Sequence, residues 1–148
     1  MKKVLCFGDS NTFGYNPHNG KRYDENSRWT GILKNLCMDK YEIIEAGCNN
    51  RTAFSDNHDG IQFTGYKVLP GYLKEFYDTI IFAIGINDLQ KFYNPTLEEF
   101  ETGIENLIKK IRESLPKSDI IILSPSHITK NILTSNFRFM FNETFFEK

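Results

Sequence analysis

Three short polar stretches hold the residue types from which acyl chemistry is built: "GDSN" at 8–11, "AGCNNRT" at 46–52 and "GIND" at 85–88. The first sets Ser10 between Asp9 and Asn11, directly after the apolar run "VLCF". A serine there is most simply a helix cap. It becomes a nucleophile when a base takes its proton and donors hold the developing oxyanion. Ser10 has its own backbone N–H, Gly47 an N–H with no side chain in the way, and Asn87 a side-chain amide. Together they make three donors for one point.

These residues are far apart in the chain, so regular elements must bring them together. The runs "KVLCFG" (3–8), "TIIFAIG" (79–85) and "DIIILSP" (119–125) are near-continuous and apolar, and "YEIIEAG" (41–47) is a weaker fourth. Such runs suit strands covered on both faces of a parallel sheet. Helical patterns lie between them. "SRWTGILKNLCM" places Trp29, Ile32, Leu33 and Leu36 on one face after a cap at Ser27, and a shorter helix starts near Pro70. In "PTLEEFETGIENLIKKIRESLP", Thr96 and Glu99 form a capping box, Ile104, Leu107, Ile108, Ile111 and Leu115 an apolar stripe, and Pro116 the stop. The alternation predicts an α/β sandwich with right-handed crossovers. Ligands of such sheets bind beyond the carboxyl ends of the strands, where the three polar stretches fall. The loop "YNPHNGKRYDENS" (15–27) exceeds an ordinary connection and is a candidate functional loop.

The bulk composition narrows the partners. The chain has 148 residues, 40% of them hydrophobic, and 18 basic against 19 acidic side chains give a formal charge of −1. That is one domain without a basic, aromatic-interleaved stripe, which argues against nucleic acid and for a small substrate. Cys6, Cys37 and Cys48 show no C-x-x-C spacing and suit a reduced, cytoplasmic protein. The apolar run after the two initial lysines stops after four residues, too short for a signal peptide, and no stretch approaches the roughly 20 residues of a membrane span.

"FGDSNTFGY", the glycine of "EAGCNNRTA" and "GIND" resemble, in order and spacing, the first three sequence blocks of the SGNH/GDSL hydrolases. "RWTGIL" and "VLPGYL" are most similar to the arylesterase/acyltransferase branch, and the similarity runs from about residue 1 to 127. The resemblance implies a flavodoxin-like three-layer α/β/α sandwich with five parallel strands. It implies Ser10 as nucleophile, an oxyanion hole of Ser10, Gly47 and Asn87, and hydrolysis or transfer of small acyl groups without metal or cofactor. Asp9, Asn11, Arg51 and Asp88 are candidate substrate contacts. Asp9 and Asp88 also read as loop-holding residues, and Arg51 as either a ligand for a substrate carboxylate or the partner of an acid.

The family's base is a histidine in a late D-x-x-H motif, and this sequence has no D-x-x-H. His18, His58 and His127 are its histidines, with His127 and His58 as weak stand-ins. In the tail "NFRFMFNETFFEK", Phe137, Phe141 and Phe145 repeat at helical spacing with no stop signal. The expectation is a single domain over 1–148 that lacks its fifth strand, last helix and catalytic histidine, is nearly inert by itself, and associates through exposed phenylalanines. A non-catalytic binding module on the same fold is the alternative. A phosphate loop is excluded by the missing G-K-[ST], and no G-x-G-x-x-G follows the first strand.

Overall fold

Continuous apolar runs become strands where both faces find cover, and four do so here. The computed structural model describes residues 1–142. Its strands are β1 (Lys2–Gly8), β2 (Tyr41–Gly47), β3 (Thr79–Ala83) and β4 (Asp119–Ile122), all parallel, in the spatial order β2-β1-β3-β4. The helices are α1 (Ser10–Phe13), α2 (Trp29–Cys37), α3 (Gly65–Tyr72) and α4 (Leu97–Ser114). This is the expected parallel α/β architecture, with four strands among the described residues.

Alternation along the strands divides the core. Leu5, Phe7, Ile80 and Phe82 point to one face, where Leu69 and Leu73 of the α3 region and Leu107 and Ile111 of α4 close over them. Phe7 stacks on Phe82 with ring centroids 6.0 Å apart. Val4 and Cys6 are buried on the other face, where α2 packs beside β2. Burial pushes the Cys6 thiol up to about 12, so this cysteine is inert packing. Farther along that face the cover ends: Ile121 and Leu123 are 47% and 42% exposed, and β4 pairs only with β3 among the described residues.

Helix α4 carries the predicted capping box, with Glu99 N–H donating to Thr96 Oγ1 and Thr96 N–H to Glu99 Oε2. Other expectations need correction. Helix α2 is capped by no side chain, since Ser27 donates instead to Asp24. It buries Thr30 and Gly31, while Ile32 and Leu36 of the expected stripe are exposed. The reason is close approach: a Cβ on Gly31 would lie 2.0 Å from the Glu25 carbonyl, so the glycine side is the one pressed inward. Helix α3 starts at Gly65 rather than near Pro70, which sits inside it. Pro70 and Tyr66 are both exposed, so water can serve the carbonyl that the proline leaves unbonded.

Up to residue 142 the tail forms no α-helix at the Phe137–Phe141 spacing. After β4 it passes through a 3-10 turn (Lys130–Thr134) and folds back on the segment after β3. Phe141 is buried and pairs antiparallel with Gln90, and Lys91 N–H donates to the Met140 carbonyl at 2.7 Å. Phe137 and Phe139 stay exposed, and Phe145 lies outside the described residues.

The long 15–27 loop is fastened by charge. Arg28 grips Glu45 of β2 with both ends of its fork (2.9 and 3.0 Å), and Arg22 reaches the same carboxylate at 2.7 Å. Arg22 Nε also donates to the Phe13 carbonyl at 2.6 Å, at the end of α1. Burial alone would raise the Glu45 carboxyl, but the hydrogen bonds from the two arginines outweigh it and hold the pKa at about 2. A depressed acid adds stability above its unfolded pKa and loses it as the pH falls toward the folded one. Glu45→Gln is therefore expected to lower stability at neutral pH by roughly 1–3 kcal/mol. It should also flatten the loss of stability between about pH 4.5 and 2, as followed by urea unfolding.

Candidate active site

The strand register places the three polar loops side by side. Gly8 lies opposite Gly47 of β2 on one flank and Ala83 of β3 on the other. Ser10 follows Gly8 by two residues, and Asn87 lies in the 3-10 turn (Ile86–Leu89) just beyond β3.

Asp9, and not Ser10, caps α1. Its Oδ1 accepts from Asn11 N–H at 2.9 Å, which makes Ser10 the first helical residue and relieves its hydroxyl of any capping duty. Ser10 is half-buried. The helix lies directly on the glycines. A Cβ on Gly47 would stand 2.1 Å from the Phe13 nitrogen, and one on Gly8 2.0 Å from Thr12 Oγ1. Any side chain at either position would drive the serine off the strand ends.

Asn87 is buried, and both ends of its carboxamide are fixed. Nδ2 donates to the Arg51 carbonyl at 3.0 Å, and Oδ1 accepts from Gln90 Nε2, also at 3.0 Å. An amide nitrogen has two protons, so one remains for a ligand. Gln90 further donates to Asn50 Oδ1 at 3.1 Å. Nothing in the sequence singled out Gln90; its proximity to the "GIND" turn was the available signal.

The four candidate substrate contacts separate by burial. Asn11 is exposed. Asp88 is fully buried, and its carboxylate is filled by the N–H groups of Ala53 (2.6 Å), Phe54 (3.1 Å) and Ser55 (2.9 Å). It holds the loop after β2 and presents nothing to a substrate. Arg51 is 5% exposed and forms no ion pair among the described residues; its Nη1 donates to the carbonyls of Ala46 (2.6 Å) and Gly8 (3.3 Å). Asp9 is buried as well, though it lines a cavity of about 210 Å³ together with Asn11, Thr12, Trp29 and the Leu123–Ser126 segment. Trp29, expected as a core anchor, is half-buried at this cavity. Ser10, Gly47 and Asn87 line neither this cavity nor a larger hollow of about 560 Å³ beside the start of α4.

None of the histidines hydrogen-bonds Ser10 among the described residues. His58 Nδ1 meets Tyr93 Oη at 2.9 Å and its Nε2 lies 3.5 Å from Asp59, while His18 and His127 are exposed. Cys48 turns its thiol to the Asn49 carbonyl at 3.6 Å. Among the described residues no group of three or more His, Cys, Asp or Glu could hold a metal ion, and no helix is long and apolar enough to cross a membrane.

A half-buried serine after the first strand of a parallel sheet thus shares one edge with the glycine ending β2 and the carboxamide in the turn after β3. The chain matches the model of the GDSL-like Lipase/Acylhydrolase family over residues 6–143, and it belongs to that family. It is similar to a carbohydrate acetylesterase family member from Sinorhizobium meliloti, with 30% identity, a TM-score of 0.82, and coverage of 95% of this chain and 70% of that one. It is similar also to Est24, a carbohydrate acetylesterase from the same organism (27%, TM-score 0.81), and to the inhibitor-bound M. smegmatis aryl esterase (27%, TM-score 0.80). Each of the latter two comparisons covers 87% of this chain and 66% of the other. No curated protein sequence matches the chain.

The buried carboxyl of Asp9 gives the site a pH signature. Burial above all, with the charge of Asp88 adding, pushes its pKa from 3.8 to about 6, against the opposing pull of Asn11 N–H and Arg51. A raised acid binds its proton more tightly in the folded state, so its contribution to stability falls as the pH rises from about 4 toward 6 and stays lost above. Asp9→Asn keeps the capping oxygen and removes the buried charge. It should be up to about 3 kcal/mol more stable than wild type at pH 7.5, with the difference vanishing near pH 3.5, in paired urea titrations.

Proposed function

We propose that this protein is a serine ester hydrolase of the SGNH type, with Ser10 as nucleophile and the N–H groups of Ser10 and Gly47 and the free amide proton of Asn87 as oxyanion donors. Ser10 Oγ attacks the ester carbonyl while a base removes its proton. The tetrahedral oxyanion collapses, the alcohol leaves with that proton, and water then releases the acid from the acyl-enzyme by the same route. An alcohol in place of water makes the second half an acyl transfer. The observation that carries the reading is the close seating of α1 on Gly8 and Gly47, which brings the serine onto the strand ends with its hydroxyl uncommitted to capping.

The base is assigned to a histidine outside residues 1–148. In support, His58 is engaged by Tyr93 and Asp59, and the outer edge of β4 with Ile121 and Ile122 lies open among the described residues. The compared esterases are also longer chains. Substrates are small acyl esters. A 210 Å³ cavity beside Asp9 and Asn11 is below the ~300–1,000 Å³ usual for drug-sized ligands and suits a short acyl or alcohol group. Acetylated sugars and aryl esters, named for the compared esterases, are the first to try. The free thiols of Cys6, Cys37 and Cys48 fit a reducing, cytoplasmic setting.

The full-length protein should be labelled by a fluorophosphonate at Ser10, and Ser10→Ala should abolish the label. Asn87→Ala should reduce kcat by about 10²–10³-fold, the cost of one oxyanion donor. The 148-residue chain alone should turn over about 10⁶-fold more slowly than the full-length protein, as an enzyme deprived of its base does. A second reading, a binding module without catalysis, draws on the lack of any histidine at Ser10 among the described residues. It predicts a full-length protein that binds short esters yet neither hydrolyses them nor takes the label.

A further inference from the structure

We propose that Arg51 is a positioning residue of this reaction, one residue whose side chain and carbonyl together bond to all three of the Ser10, Gly47 and Asn87 loops. The inference rests on the proposed ester hydrolysis.

The contacts of Arg51 reach all three loops. From the side chain, Nη1 donates to the Gly8 carbonyl, two residues before Ser10, and to the Ala46 carbonyl, immediately before Gly47. Gly8 and Gly47 are register partners on adjacent strands, so one nitrogen bridges the ends of β1 and β2 at the point where both glycines begin their loops. From the main chain, the Arg51 carbonyl accepts Asn87 Nδ2 at 3.0 Å. With Gln90 holding Oδ1, this contact fixes the orientation of the carboxamide. The guanidinium carbon lies over the Phe7 ring, 4.8 Å from its centroid.

The charge is an unusual choice for a part that only fills space. Arg51 is almost entirely buried, Nε has no hydrogen-bond partner, and no carboxylate lies within ion-pair distance among the described residues. An unpaired buried cation is unfavourable, and an apolar side chain of similar length would fill the same volume without that penalty. What an apolar side chain lacks is a donor for two carbonyls at the strand ends, where parallel strands leave outward-pointing C=O groups. Losing that bridge lets the β1 and β2 ends move independently, and misplacement of about 1 Å at a reacting centre costs on the order of 10²-fold in rate. Because Arg51 itself is buried away from any substrate, and the Asn87 amide it holds acts on the oxyanion only as that charge develops, the loss falls on kcat and not on KM.

The test uses the full-length protein, with phenyl or sugar acetates as substrates and active sites counted by fluorophosphonate titration. Arg51→Met should lower kcat per titrated site by about 100-fold with KM within about threefold of wild type. Arg51→Lys, which restores a donor but not the planar fork, should recover part of the loss. A folded Arg51→Met protein with kcat within threefold of wild type would overturn the proposal. If neither variant folds, the wild-type Arg51 guanidinium is followed by nitrogen-15 NMR before and after phosphonylation of Ser10. A shifted resonance supports the coupling, and an unmoved one overturns it. Failure of the wild-type protein to label at Ser10 is a separate result: it removes the hydrolase reading and this inference with it.

Discussion

A helix of four residues has too few internal hydrogen bonds to hold itself together, so whatever presses on α1 decides where Ser10 sits. Two hydrogen atoms do most of this. At Gly8 and Gly47 the α-carbon carries no side chain; the Thr12 side chain and the Ala83 carbonyl occupy the space a Cβ would need at Gly8, and the backbone of Thr12 and Phe13 the space at Gly47. The helix is thereby wedged on the ends of β1 and β2 instead of standing above them. The Asp9 cap then orients its first turn, and Arg22, donating to the Phe13 carbonyl, closes its last. The position of the serine follows from what is absent beneath it.

Charge supplies the second level of control. Asp9, Arg51 and Asp88 are all buried at the carboxyl edge of the sheet, yet none is bound to another as an ion pair. Each instead satisfies backbone groups of a neighbouring segment: Asp9 the first turn of α1, Arg51 the carbonyls closing β1 and β2, Asp88 three successive N–H groups after β2. Loops carry main-chain donors and acceptors that no ladder serves, and burying them requires partners. Here charged side chains provide those partners, and charge-assisted hydrogen bonds are the stronger kind. The cost is visible in the raised pKa values of Asp9 and Asp88, where burial is the leading cause in both.

Much of this was legible in the sequence, for identifiable reasons. Runs such as "TIIFA" have only one comfortable environment, and the Thr96–Glu99 box is a local signal that tertiary contacts did not disturb. The glycine positions and the order of the loops pointed to the site. What stayed hidden depended on neighbours distant in sequence. An arginine reads as a surface residue until the partners of its fork are known, so the sequence alone offers Arg51 as a substrate ligand or an ion-pair partner. Ile32 and Leu36 have the spacing of a buried face, but Gly31 allows a closer approach and turns that stripe outward. Phe141 falls in a helical repeat, whereas its burial comes from pairing with Gln90, 51 positions earlier.

The same contacts leave one side of the strand ends open. Toward β2 the serine is walled by Gly47 and the buried Arg51; toward β3 stand Asn87 and Gln90, locked to each other. Between α2 and the segment after β4, however, the cavity beside Asp9 remains, bounded by Trp29, Pro125 and Ser126. The sheet face next to it carries the half-exposed Ile121 and Leu123. On the proposed hydrolase reading, the base must come from a side free of the oxyanion donors, since a base among them would compete with the substrate carbonyl for the same space. The cavity between Asp9 and the segment after β4 is the room left near Ser10 for such a group.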